Sequence, residues 1–157
     1  MEIDIISYTP SQYTALTNEQ LTQVKEAQIK KNELLQEYAT RLQKEKGRLI
    51  ENGIIASGIW PKLEEKLRNE CNNAVAWVRD TLLFYLQYSG AEAMLNAPYK
   101  VDLTLPIEER LAIVKDYYYT TYSNALERLN AYEKDEVAMK YLGEVYAMLY
   151  DYLEDDL

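Results

Sequence analysis

Residues 17–53 read TNEQLTQVKEAQIKKNELLQEYATRLQKEKGRLIENG, and the fold turns on how this stretch is interpreted. Thr17 with Gln20 three residues on is a capping box, in which each side chain satisfies the other's backbone N–H at a helix start. Gly53 supplies the left-handed backbone that ends a helix. No proline falls between them. A helix over 17–52 at 1.5 Å per residue is about 54 Å long, more than a compact domain of this size needs. Its apolar stripe, Leu21, Val24, Leu35, Tyr38, Leu42 and Leu49, fits heptad spacing and is interrupted by Gln28, Lys31 and Glu45. So narrow a stripe belongs to a helix packed on one side only, or to one that projects.

Downstream, residues 53–61 (GIIASGIWP) form a breaker-rich connector whose isoleucines and Trp60 are expected to pack at the end of a bundle. Pro61 suits the first turn of a second helix over 61–88, with Leu63, Leu67, Cys71, Ala74, Val78, Leu82 and Tyr85 on one face. From Ala74 onward the other face is apolar too, with Val75, Trp77, Leu83, Phe84 and Leu86, so this half is expected at the enclosed centre of the fold. Ser89-Gly90 ends the pattern, and 91–96 reads as a helical turn before Pro98. Residues 2–6 and 101–105 both alternate apolar with polar, which makes them candidates for a short two-stranded ribbon.

Pro106 opens a third helix over 107–133, with Ile107, Leu111, Val114, Tyr118, Tyr122, Ala125, Leu129 and Tyr132 in register. Glu108 and Glu109 sit at the positive end of its dipole. Asp135 is a cap for a fourth helix over 135–154 carrying Val137, Tyr141, Val145, Met148 and Tyr152, although no Gly or Pro between 133 and 136 forces a break from the third. Gly143 inside that helix costs about 1 kcal/mol relative to Ala, and a close helix crossing is one reason to tolerate it. The expected fold is all-α: one domain over 1–157, with an extended segment over 1–16. It is an antiparallel bundle of three to four helices with a long first helix, with or without the ribbon.

Composition narrows the function. At 157 residues the chain can bury a core without staples, and its single cysteine excludes an internal disulfide. No apolar run approaches the length of a membrane-spanning helix, and the start, MEIDIISYTP, lacks the basic and apolar regions of a signal peptide. A cytoplasmic location is expected. Residues 101–157 hold five Lys/Arg against thirteen Asp/Glu, a balance of −8 out of a formal net charge of −9. Such a field repels nucleic acid and anionic membranes, so neither is an expected direct partner.

The chain has no histidine, which removes the commonest general base, the Ser-His and Cys-His nucleophiles and most transition-metal sites. The adjacent pairs Glu64-Glu65, Glu108-Glu109 and Asp135-Glu136 point about 100° apart on a helix and read as solvated faces. Gly53 and Gly58 lack the Lys-Ser/Thr of a phosphate loop. Cys71 shares a face with Leu67, Ala74 and Val78 and reads as a small buried apolar residue. No catalytic, cofactor-binding or metal-binding residue is assigned; the chain is read as not an enzyme, with no cofactor.

The last block also holds nine of the fifteen tyrosines. Tyr118, Tyr122 and Tyr132 follow the core stripe, as do Tyr141 and Tyr152. Tyr117 and Tyr119 flank Tyr118, and Tyr146 and Tyr150 lie four residues apart on a neighbouring face. A set this wide exceeds what one side of a bundle buries, and tyrosine is favoured where one end is apolar and the other wet. Tyr117, Tyr119, Tyr146 and Tyr150, with the exposed flank of residues 21–45, are the expected partner-binding surface. The function that follows is a structural or assembly protein acting through helix-mediated protein contacts, as a homo-oligomer or within a larger assembly. The alternative is an acidic nucleic-acid mimic that occupies the basic groove of a DNA- or RNA-binding enzyme.

Three tracts, RLIENGII over 48–55, residues 110–122 with their Asp116-Tyr-Tyr-Tyr run, and YLGEVYAMLYDYL over 141–153, resemble small acidic helical proteins encoded in bacteriophage and prophage structural modules. The resemblance covers about a quarter of the chain. It implies a virion or assembly role, at the head–tail junction or in the tail, and hence a virion location. It carries over no functional residue.

Overall fold

The long helix begins and ends where its caps dictate. In the computed structural model, which describes residues 1–157 with the side chain of Ser57 excepted, the Thr17 N–H donates to Gln20 Oε1 at 2.9 Å and the Gln20 N–H to Thr17 Oγ1 at 3.2 Å. Gly53 takes φ 68° at the other end. Helices run over Pro10–Tyr13 (α1), Asn18–Glu51 (α2), Ile59–Tyr88 (α3), Ala91–Leu95 (α4), Ile107–Thr121 (α5), Ala125–Glu133 (α6), Glu136–Leu142 (α7) and Tyr146–Asp155 (α8). Single 3-10 turns lie at Ile55–Ser57 and Gly143–Val145. The chain is all-helical, as expected. Where the sequence suggested one domain, the contacts divide the chain into two compact units, Met1–Ser7 with Leu21–Leu86, and Tyr8–Gln20 with Gln87–Leu157.

In the first unit α2 and α3 run antiparallel. Arg41 pairs with Glu70 at 3.3 Å, the Cys71 thiol lies 3.8 Å from the Leu34 carbonyl, and Lys46 Nζ sits 6.0 Å from the Trp60 ring centroid. Val24 and Leu49 on α2 and Leu67, Cys71, Leu82 and Leu86 on α3 are buried. Leu35, expected on the stripe, is exposed instead. Gln28 was expected to interrupt the stripe, yet it is buried and anchors the N-terminal segment. Its Oε1 accepts the Asp4 and Ile5 N–H groups at 2.9 and 2.8 Å, and its Nε2 donates to Asp4 Oδ1 at 2.7 Å. Lys31 Nζ reaches the same carboxylate at 2.8 Å and, with Gln28, holds it below the usual Asp range. Ile5 and Ile6, adjacent in sequence, are both buried.

That arrangement replaces the ribbon. Alternation requires neighbours on opposite faces, whereas Ile5 and Ile6 both go inward, and the Asp4 and Ile5 backbone donors are taken by the Gln28 side chain. Residues 101–105 are likewise occupied within the second unit: the Leu103 N–H donates to the Thr14 carbonyl at 2.8 Å, and the Tyr141 hydroxyl bridges the Asp102 N–H and C=O, both at 3.1 Å. Among the described residues there is no strand.

The second half of α3 is not the enclosed centre that its two apolar faces suggested. Trp77 is 70% exposed and Phe84 62% exposed. A two-helix hairpin covers one stripe per helix, so Trp77 and Phe84 stay outside while Val75 and Leu83 are half-buried and Leu86 is buried. The larger core lies in the second unit, around Val114, Tyr118, Leu129, Tyr132, Tyr141 and Leu149.

Two helices expected as continuous are broken. Tyr122 turns extended, and Asn124 starts α6 by accepting from the Leu126 and Glu127 N–H groups at 2.9 and 3.1 Å. Such a side-chain cap competes with continuation of the helix. Asp135 caps α7, as expected, accepting from the Ala138 N–H at 3.0 Å. The helix then stops at Gly143, which takes φ 55° and ψ −118°. No close crossing explains this glycine, since a Cβ built there meets nothing within 4 Å. Its role is conformational: L-residues rarely enter that region.

Two pairs of measurements follow. Gly143→Ala should destabilise by more than about 1 kcal/mol, whereas Gly47→Ala, in open space inside α2, should stabilise by up to about 1 kcal/mol; urea midpoints of the two variants check the opposite signs. Gln28→Ala strands two backbone donors and should cost about 1–3 kcal/mol, with amide exchange at Asp4 and Ile5 accelerating before that of the rest of the hairpin.

Candidate protein-binding surface

The tyrosine-rich second unit is organised from the inside by one carboxylate. The α6–α7 turn aims Asp135 into the unit, where Oδ2 accepts the Tyr118 hydroxyl at 2.6 Å and the Tyr99 hydroxyl at 2.9 Å, while Oδ1 caps α7. Burial first, and Asp135 second, push both phenols above their usual range. The rings continue outward: Tyr99 to Tyr117 at 5.3 Å, Tyr117 to Tyr118 at 5.0 Å, Tyr118 to Tyr132 at 5.3 Å, and Tyr132 stacked on Tyr146 at 4.5 Å. Tyr132 and Tyr146 also exchange hydrogen bonds, each hydroxyl donating to the other's backbone carbonyl, at 2.8 and 3.2 Å.

The four tyrosines read as partner-binding therefore do not form one exposed patch. Tyr117 and Tyr146 are half-buried members of this ring network. Tyr150 is half-buried against the core and its hydroxyl donates to Glu133 at 2.9 Å. Tyr119 is 36% exposed; its ring lies 4.1 Å from the Arg128 guanidinium carbon, and its hydroxyl bonds Asp156. Arg128 is itself buried, held by the Tyr122 carbonyl and by Asp156 at 3.1 Å. On α2, the flank of residues 21–45 is largely exposed and includes Ile29 and Leu35.

What faces outward on α8 is a different set. Beyond Gly143 the buried positions are Leu149 and Leu153, one residue along from the expected Met148 and Tyr152, a rotation of about 100°. Met148 is consequently 50% exposed and Tyr152 49% exposed. Asp151 and Asp155 are exposed beside them, so positions 148, 151, 152 and 155 form one helical face that joins acid to apolar bulk. Lys115 from α5 lies with its Nζ 4.4 Å from the Tyr152 ring centroid. Sequence periodicity counted through Tyr141 placed Met148 and Tyr152 inside; the signal that could have moved them was Leu142, itself buried and seven residues before Leu149.

Elsewhere, chemistry-bearing groups do not converge. Cys71 is buried against Leu34, and among the described residues no three His, Cys, Asp or Glu side chains are grouped to hold a metal ion. No described helix is long and apolar enough to cross a membrane. No protein-family model, curated protein or solved structure matches the chain.

The buried phenols set an alkaline limit. Their folded pKa values lie above the unfolded value of about 10, so the folded state holds protons that the unfolded chain releases. That stability is complete below about pH 10 and declines as pH rises past it. Spectrophotometric titration should show phenolate appearing together with loss of helix, and Asp135→Ala, which removes a cap and strands two hydroxyls, should cost about 2–4 kcal/mol at neutral pH.

Proposed function

We propose that the chain is a structural or assembly protein with no reaction of its own, which works through helix-mediated protein–protein contacts on the outward face of α8. The observation that carries this reading is the exposure of Met148 and Tyr152 on a short helix whose other side buries Leu149 and Leu153. A large flexible thioether beside an amphipathic ring is a combination that contact surfaces favour and that solvent does not reward. The acids around it keep the face soluble until a partner arrives and select against acidic partners. The resemblance to phage structural-module proteins is consistent with the assembly being part of a virion, at the head–tail junction or in the tail.

A second reading has one observation in its favour. The second unit holds six Lys/Arg against fifteen Asp/Glu, and the first unit eleven against eleven, so the whole net charge of −9 belongs to the second unit. A nucleic-acid mimic would use such a unit to fill a basic groove. Duplex DNA separates the two readings: it displaces a mimic from its target enzyme and leaves an assembly contact in place.

Met148→Ala and Tyr152→Ala should each weaken association about tenfold or more while leaving helical content and urea midpoint near wild type, because both side chains are half outside. Sedimentation velocity across a concentration series measures this. Unchanged association in both variants would remove α8 from the proposal.

A further inference from the structure

The tip of the α2–α3 hairpin carries the opposite pattern to α8. Ile50 and Ile59 are exposed there, on either side of the connector, with Trp60 half-buried beside Lys46. Residues 41–68 hold seven Lys/Arg against four Asp/Glu, a local balance of +3 in a chain of −9. Lys44, Lys46, Arg48 and Lys62 are all exposed around the two isoleucines, and Arg48 is drawn toward Glu45 at 2.8 Å. The hairpin tip thus carries apolar bulk in a stretch of net positive charge, and the outward face of α8 carries apolar bulk among acids, with Lys115 over Tyr152.

We propose that these two surfaces bind each other between copies, the basic tip of one chain docking on the acidic α8 face of the next. The inference rests on the reading of α8 as a contact face and adds its partner. Charge decides the pairing. A twofold contact between two α8 faces sets Asp151 and Asp155 against themselves, and a twofold contact between two tips sets lysine against lysine. Only the unlike pair is complementary. Each copy offers one surface of each kind, so the same contact either closes as a reciprocal dimer or repeats into a larger ring or an open chain. An anionic bilayer is the other surface that a basic, isoleucine-bearing tip suits, but the second unit's −9 opposes approach to one.

Complementation between two disabled chains tests this with the full-length protein. The tip variant is Ile50→Asp with Ile59→Asp, and a second tip variant, Lys46→Glu with Lys62→Glu, keeps the apolar groups. The face variant is Met148→Lys with Tyr152→Lys. All alter exposed or half-exposed side chains, and circular dichroism with urea midpoints confirms that each is folded. Wild type should grow in mass with concentration and shrink as salt rises from about 0.02 to 0.5 M, where screening shortens to a few ångströms. Each variant alone should stay monomeric, and an equimolar mixture of a tip variant with the face variant should give a one-to-one dimer and nothing larger. A face variant that is monomeric while both tip variants associate like wild type overturns the tip as partner and leaves α8 as a contact face. A face variant that associates like wild type overturns both. Wild type that remains monomeric while its tip binds phosphatidylserine vesicles overturns self-association in favour of a lipid occupant.

Discussion

At Gly143 the backbone enters a region that residues with a Cβ avoid, and α7 ends there. The helix that follows meets the core through Leu149 and Leu153, Tyr146 stacks on Tyr132, and Met148 and Tyr152 are left outside among acids. A backbone conformation that glycine meets most readily thus separates two short helices, and the second carries the acidic, apolar-studded face proposed for partner contact.

The interior that receives α8 is unusual in relying on tyrosine. Burying a phenol is unfavourable unless its hydroxyl is paired, and each deep ring here has a designated acceptor. Asp135 takes Tyr99 and Tyr118, the Asp102 carbonyl takes Tyr141, and Tyr132 and Tyr146 serve each other. Among the described residues only the Tyr13 hydroxyl is buried without a partner. The rings therefore do in the core what the sequence reading assigned to the surface. They give the unit bulk, specific ring geometry and polar anchors at once.

Local signals were legible. The Thr17–Gln20 box, the stop at Gly53, the turn after Gly90 and the Asp135 cap each depend on neighbours within a few residues, and each stands where the pattern put it. The errors arose where distant groups decide. Gln28 looked like a flaw in a stripe because its partners, Asp4 and Ile5, lie over twenty residues away. Trp77 and Phe84 looked central because periodicity counts apolar residues but does not reveal how many helices are available to cover them. Met148 and Tyr152 looked internal because the stripe was counted through Tyr141, whereas Ala138 and Leu142, buried as well, lead in register to Leu149 and Leu153. Asn124 was a cap in plain view, hidden by an apolar register that runs on from Tyr122 to Leu129.

Charge adds the directional element. With the net −9 confined to one unit and a basic, isoleucine-bearing tip in the other, like surfaces repel and unlike surfaces attract. The four methionines offer a direct reading of this account, since thioether oxidation follows exposure. In dilute protein Met1, Met139 and Met148 should oxidise rapidly and the buried Met94 slowly. On concentration into the associating range Met148 alone should become protected. A Met148 that is slow in the dilute monomer, or equally fast in the assembled state, would contradict the claim that α8 turns this face outward to be covered by a partner.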